Sequence, residues 1–99
     1  MNYKFHRAAI RELNEAIDLY ENLKPGLGLE FSKEIHATIQ GIVEHPGSNL
    51  KISRTCRRCL TRRFPHGIIY LVLDDVIVII AVMHLNRRPG YWKRRLRDI

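Results

Sequence analysis

The residues of this chain with the greatest capacity for chemistry are its cations, two thiols and five imidazoles. Two runs hold twelve of the seventeen Lys and Arg residues. KISRTCRRCLTRR carries Lys51, Arg54, Arg57, Arg58, Arg62 and Arg63, and NRRPGYWKRRLR carries Arg87, Arg88, Lys93, Arg94, Arg95 and Arg97. Residues 1–50 hold 5 cations against 7 acids, a net −2; residues 51–99 hold 12 against 3, a net +9. A small fold cannot bury so many cations, so the second half must present a positive surface suited to phosphates, anionic lipids or acidic proteins. Cys56 and Cys59 form a lone CxxC, half of a zinc site. Histidines 6, 36, 45, 66 and 84 lack the H-x3-5-H spacing that would complete it. A thioredoxin-like pair would sit at a strand-to-helix turn, whereas arginines surround this one and strand-like sequence follows it. The expectation is reduced thiols, one facing the core, with the neighbouring arginines lowering a thiolate pKa. No metal or other cofactor is expected.

The elements that position these groups follow from periodicity. The 99 residues make one domain, and an apolar fraction of 45% argues against disorder. Tyr3 to Phe5 is β-compatible. Ala9, Leu13, Ala16, Ile17 and Tyr20 then recur at helical steps, with Glu12, Glu15, Asp18 and Glu21 opposite, which predicts a helix over 7–23 with a solvated acidic face. Lys24-Pro25-Gly26 breaks it. A second helix is expected over 27–44, with Phe31, Ile35, Ile39, Ile42 and Val43 as its stripe and Pro46-Gly47-Ser48 as its stop. A loop at 46–56 leads to a strand over Arg58–Phe64 and a turn at Pro65-His66-Gly67. Ile68–Leu73 and Val76–His84 then form a hairpin about Asp74-Asp75. A short basic helix is expected from Tyr91. The fold class is α+β: a short N-terminal strand and a helical hairpin on an antiparallel sheet of three or four strands.

Pairing Leu73 with Val76 puts Ile68, Tyr70, Val72, Ile77, Ile79 and Ala81 on one face of the hairpin. Ile69, Leu71, Leu73, Val76, Val78, Ile80 and Val82 fall on the other. Both faces are apolar, and the helices cover only one. The second needs the C-terminal segment, a second copy or a partner chain. VIVIIAVM at 76–83 is too short to span a bilayer, and no N-terminal run resembles a signal peptide, so a cytoplasmic protein is expected. The basic residues are not interleaved with apolar ones on a long helix, which argues against membrane-surface binding. No helix-turn-helix, zinc-finger or RNP-type motif appears.

Taken together, the helical pair, the stop EHPGS, the Arg-rich strand ending RRFPHGIIY, the hairpin LVLDDVIVIIAVMH and the end HLNRRPGYWKRRL have a specific look. The chain resembles the RelE/ParE superfamily of toxins from bacterial type II toxin–antitoxin (plasmid-stabilisation) modules. The pattern RFP-x-G-I-x-Y … V-x-x-A-V-x-H-x-x-R-x-P-x-x-W is closer to the ParE branch. The resemblance implies a growth inhibitor silenced by an antitoxin with an acidic binding segment, as a homodimer or a hetero-oligomer with it. ParE-like members poison DNA gyrase; RelE-like members cleave mRNA on the ribosome. The fold does not choose between them.

Metal-free RNA cleavage needs a group for the 2′-hydroxyl, a proton donor for the leaving oxygen and cations for the phosphorane. A RelE-like role would fall to Arg63 at the end of the first long strand, His84 at the end of the last, and Arg87 and Tyr91 beyond it. Departures weigh against that role. Gly67 stands where some nucleases of the family have Arg, and residues 46–63 contain no acid. Target- or antitoxin-binding is expected of Arg58, Arg62, Arg88, Trp92, Arg94 and Arg95. Packing of the tail is the simpler use of Trp92.

Overall fold

The computed structural model describes residues 1–99. Its elements run β1 (Asn2–Phe5), α1 (Arg7–Leu23), α2 (Leu27–Glu44), β2 (Leu50–Lys51), β3 (Arg57–Leu60), β4 (His66–Leu73), β5 (Val76–His84) and a C-terminal 3-10 helix (Lys93–Asp98). Both helices span the residues their periodicity predicts. His6, in extended conformation, caps α1: its Nδ1 accepts the Ala8 N–H at 3.0 Å. Glu21 caps α2 from the neighbouring helix, accepting the N–H groups of Gly26 (2.9 Å) and Gly28 (3.1 Å). Gly28 is where the helices close on each other. A Cβ there would lie 2.6 Å from the Ile17 carbonyl oxygen.

The sheet has five strands in the order β1-β5-β4-β3-β2. It exceeds the expected three or four and is mixed, because β1 pairs in parallel with β5. The β4–β5 hairpin turns at Asp74 (φ 50°) and Asp75 (φ 62°), the left-handed pair of a type I′ turn. The strand expected over Arg58–Phe64 stops at Leu60. The Arg63 N–H is drawn to Glu34 of α2 (2.7 Å), and Thr61 Oγ1 donates to the Phe64 carbonyl (2.6 Å), so Thr61–Pro65 form a loop. His66 and Gly67, expected in a turn, lie inside β4, paired with His84 and Met83.

One bulge rearranges the faces. Tyr70 pairs with Ile79 and Ile69 with Ala81, leaving Ile80 without a partner. From there on the alternation inverts relative to an unbroken strand. Val82 turns to the helices, where Ala81 is expected, and Ala81 turns away with Ile80. The helix-side core holds Ala9, Leu13, Phe31, Ile35, Ile39, Ile42, Ile68, Tyr70, Ile77, Ile79 and Val82. The opposite core holds Cys56, Ile69, Val78, Ile80, Ala81, Met83 and Trp92, with Tyr91 and Leu96 against it. The C-terminal segment therefore folds back over the second face, one of the covers the sequence leaves open. Cys56 faces this core and Cys59 the helices. Burial raises the Cys59 thiol, opposite to the lowering expected from nearby arginines.

Candidate functional site

Glu12, on the stripe edge of α1, gathers the C-terminal half around one carboxylate. Its Oε1 accepts the Val82 N–H at 3.1 Å, a backbone group beside the bulge. Tyr91 donates its hydroxyl to Oε2 at 2.6 Å. Arg95 grips both oxygens at 2.8 Å and also donates to the Ile80 carbonyl at 2.9 Å. Arg87 approaches Oε2 at 3.9 Å, with its guanidinium carbon 3.9 Å from the centre of the Tyr91 ring. The Glu12 and Arg95 side chains are 14% and 16% exposed, so this pair is largely withdrawn from water. Burial raises the Tyr91 phenol strongly, reinforced by its bond to Glu12 and by that negative charge. Glu12 departs from the solvated acidic face expected of α1, because it lies at i+3 from Ala9 and i−4 from Ala16. That spacing is the signal in the sequence.

Beside this hub, an open groove of about 630 Å³ runs between α1 and the ends of β4 and β5. His66 and His84 meet at its floor edge-to-face, ring centres 5.1 Å apart. Burial pushes His66 down to about 4, and the neighbouring His84 pushes the same way against an opposing pull from Glu12. Tyr20 reaches His66 Nδ1 at 3.5 Å. His84 Nδ1 accepts the Asn86 N–H at 3.0 Å, so in neutral His84 the proton lies on Nε2. Sequence reasoning misses His66 and Tyr20 as site residues, because Pro65 and Gly67 signal a turn and Tyr20 fits a core stripe.

The sequence-expected residues divide in space. His84, Arg87 and Tyr91 come together near Glu12. Arg63 does not join them. It lies in the β3–β4 loop, with its guanidinium within 3.4 Å of Glu34 and 3.3 Å of Glu30 on α2. Burial acts to raise the Glu34 carboxyl, but hydrogen bonds from the backbone and side chain of Arg63 lower it on balance. Trp92 is 3% exposed, within the second core, and Arg95 is committed to Glu12. Arg58 lies on the tail side of the sheet, its aliphatic stem over Gly67, where a Cβ would come within 3.2 Å. Arg62, Arg88 and Arg94 are exposed. Of the twelve cations in residues 51–99, only Arg63, Arg87 and Arg95 lie within 4.0 Å of a carboxylate.

Chemically, the groove offers the paired imidazoles of His66 and His84 and one guanidinium, Arg87, beside them. A second cation aimed at the same point is missing. Tyr91 spends its proton on Glu12. No helix is long and apolar enough to cross a membrane.

Comparison with known proteins follows the same lines. A family model described as the ParE toxin of type II toxin–antitoxin system, parDE, matches residues 3–89. Among solved structures, one titled "Chromosomal ParDE TA system from P. aeruginosa" superposes with a TM-score of 0.75 at 22% identity, covering 85% of this chain and 95% of that one. The isolated E. coli RelE toxin superposes with a TM-score of 0.55 at 19% identity, covering 99% of this chain and 98% of that one. At those identities the likeness is one of fold. A search of curated proteins finds no match.

Proposed function

Because the chain belongs to the ParE toxin family of type II toxin–antitoxin systems, we propose that it inhibits bacterial growth by docking on a replication target, DNA gyrase, without making or breaking a bond. It would act in the cytoplasm, serve plasmid or locus stabilisation, and be silenced by a cognate antitoxin. The observation that carries this reading is that Arg63 stands apart from His84, Arg87 and Tyr91, and that Arg63 and Tyr91 are already bonded to carboxylates. Arg63 is tied to Glu30 and Glu34, and Tyr91 and Arg95 are tied to Glu12. A catalyst for phosphoryl chemistry needs its cations aimed at one developing charge.

The antitoxin would bring an acidic segment to the basic half. The β2–β3 edge is suited to it: Lys51, Arg54 and Arg62 are exposed there. β2 pairs with β3 only at Arg57 and Arg58, so Cys59 and Leu60 have no strand beside them on that side and could accept one. A hetero-oligomer with the antitoxin fits this edge better than a homodimer, since two copies of a positive edge repel.

A RelE-like mRNA endonuclease is the second reading, favoured by His84 and Arg87 lining one groove with the Tyr91 ring stacked against Arg87. Induced expression separates the two. The gyrase reading expects DNA synthesis to fail first, with filamentation and DNA-damage signalling, and His84→Ala to remain toxic. Rapid arrest of translation with cleaved mRNA, abolished in His84→Ala, would establish the nuclease instead.

A further inference from the structure

We infer that the outer surface of the C-terminal 3-10 helix, together with Arg58, is a docking surface for the phosphate backbone of double-stranded DNA, read without regard to sequence. The inference goes beyond the gyrase reading and does not rest on it.

The surface is made by the way the tail folds back. Trp92 and Leu96 turn inward onto the second core, and Arg95 reaches to Glu12. Their burial forces Lys93, Arg94 and Arg97 outward, and all three are exposed. With three residues per 3-10 turn, Arg94 and Arg97 stand in one row about 6 Å apart. Arg58 projects from β3 on the same side of the sheet, held along the strand because Gly67 has no side chain to displace it. None of these four cations lies within 4.0 Å of a carboxylate. The three acids of residues 51–99 do little to neutralise them: Asp74 and Asp75 sit at the hairpin turn, and Asp98 is bonded to His6 Nε2 at 2.6 Å. The helical layer on the far side carries exposed Glu15, Asp18, Glu21, Glu30 and Glu44 but also exposed Arg7, Arg11, Lys24 and Lys33, so it is nearly neutral and the excess positive charge lies on the sheet and tail.

The choice of partner follows from what this surface lacks. A protein interface draws its energy from apolar or aromatic anchors ringed by polar groups. Here Trp92 and Leu96 face the wrong way to serve, and the exposed Leu50 and Leu60 lie beside Arg58 at the β2–β3 edge, not on the 3-10 helix. An anionic membrane would want apolar residues to insert, and the outward positions of the 3-10 helix supply none. A phosphodiester chain asks only for spaced cations that displace its counterions. No side chains are arrayed to read base edges, so no sequence preference is expected.

The test is fluorescence anisotropy of a labelled duplex of about 20 base pairs against salt, with unlabelled polyglutamate as competitor. Two triple variants of equal net charge are compared: Lys93→Gln/Arg94→Gln/Arg97→Gln, and Arg11→Gln/Lys24→Gln/Lys33→Gln on the helical layer. Near-UV circular dichroism confirms that each is folded. The tail triple should flatten the plot of log K against log salt by roughly 2 to 3 units of slope, at about 0.9 for each phosphate no longer neutralised. The helical triple should leave it unchanged. Equal losses in both variants, no duplex binding by the parent chain, or displacement of the duplex by equimolar polyglutamate would each overturn the inference.

Discussion

Glu12 satisfies a backbone N–H, a phenol and a guanidinium at once, and each partner belongs to a different part of the C-terminal half. Removing its charge leaves Arg95 largely buried without compensation, which typically costs about 3–5 kcal/mol when such a pair is broken. Glu12→Gln should therefore lower the urea midpoint sharply, while exposed Glu15→Gln stays within about 0.5 kcal/mol of the parent. Equal stability of the two variants would refute the hub. His66 makes a prediction about pH. Its folded-state value is about 4, against an ordinary 6.5, so a proton favours the unfolded chain. The stability owed to neutral burial is complete above pH 6.5 and drains away as pH falls from 6.5 towards 4. Urea midpoints measured between about pH 7.5 and 4.5 should fall through that window, and His66→Gln should flatten the decline. An unchanged slope in that variant would place the titration elsewhere.

At the scale of elements, legibility follows how local each cause is. Helices α1 and α2 and the Asp74-Asp75 turn are readable because apolar spacing, Pro25-Gly26 and Pro46-Gly47 act within a few residues. The β3 end is not, because a carboxylate on α2, twenty-nine residues away, takes the Arg63 N–H. The bulge at Ile80 is equally hidden. Every residue of VIVIIAVM is apolar, so no polar position marks where alternation inverts, and the exchange of Ala81 and Val82 leaves no trace in the pattern. Two substitutions test the local causes. Gly28→Ala should destabilise by about 1–3 kcal/mol, because its Cβ would sit 2.6 Å from the Ile17 carbonyl. Asp75→Gly should raise stability by a few tenths to about 1 kcal/mol, since φ 62° strains any residue with a Cβ. Thermal unfolding reads both, and opposite signs would contradict the assigned geometry.

Across the whole molecule, the charge division is plain from composition, and its placement is not. Composition alone requires residues 51–99 to show cations. It does not reveal that the tail turns Trp92 and Arg95 inward and thereby sends Lys93, Arg94 and Arg97 out. The same folding separates one member of the set a nuclease would assemble: His84, Arg87 and Tyr91 lie near Glu12, whereas Arg63, in the β3–β4 loop, is bonded to Glu30 and Glu34 of α2. The claim that this chain works by docking is tested most directly with purified components, by measuring supercoiling of relaxed plasmid by DNA gyrase as the protein is titrated, alongside message integrity on translating ribosomes. The account predicts that supercoiling falls with increasing protein, equally for His84→Ala, while messages stay intact. Unimpaired supercoiling with ribosome-dependent cleavage that disappears in His84→Ala would contradict it.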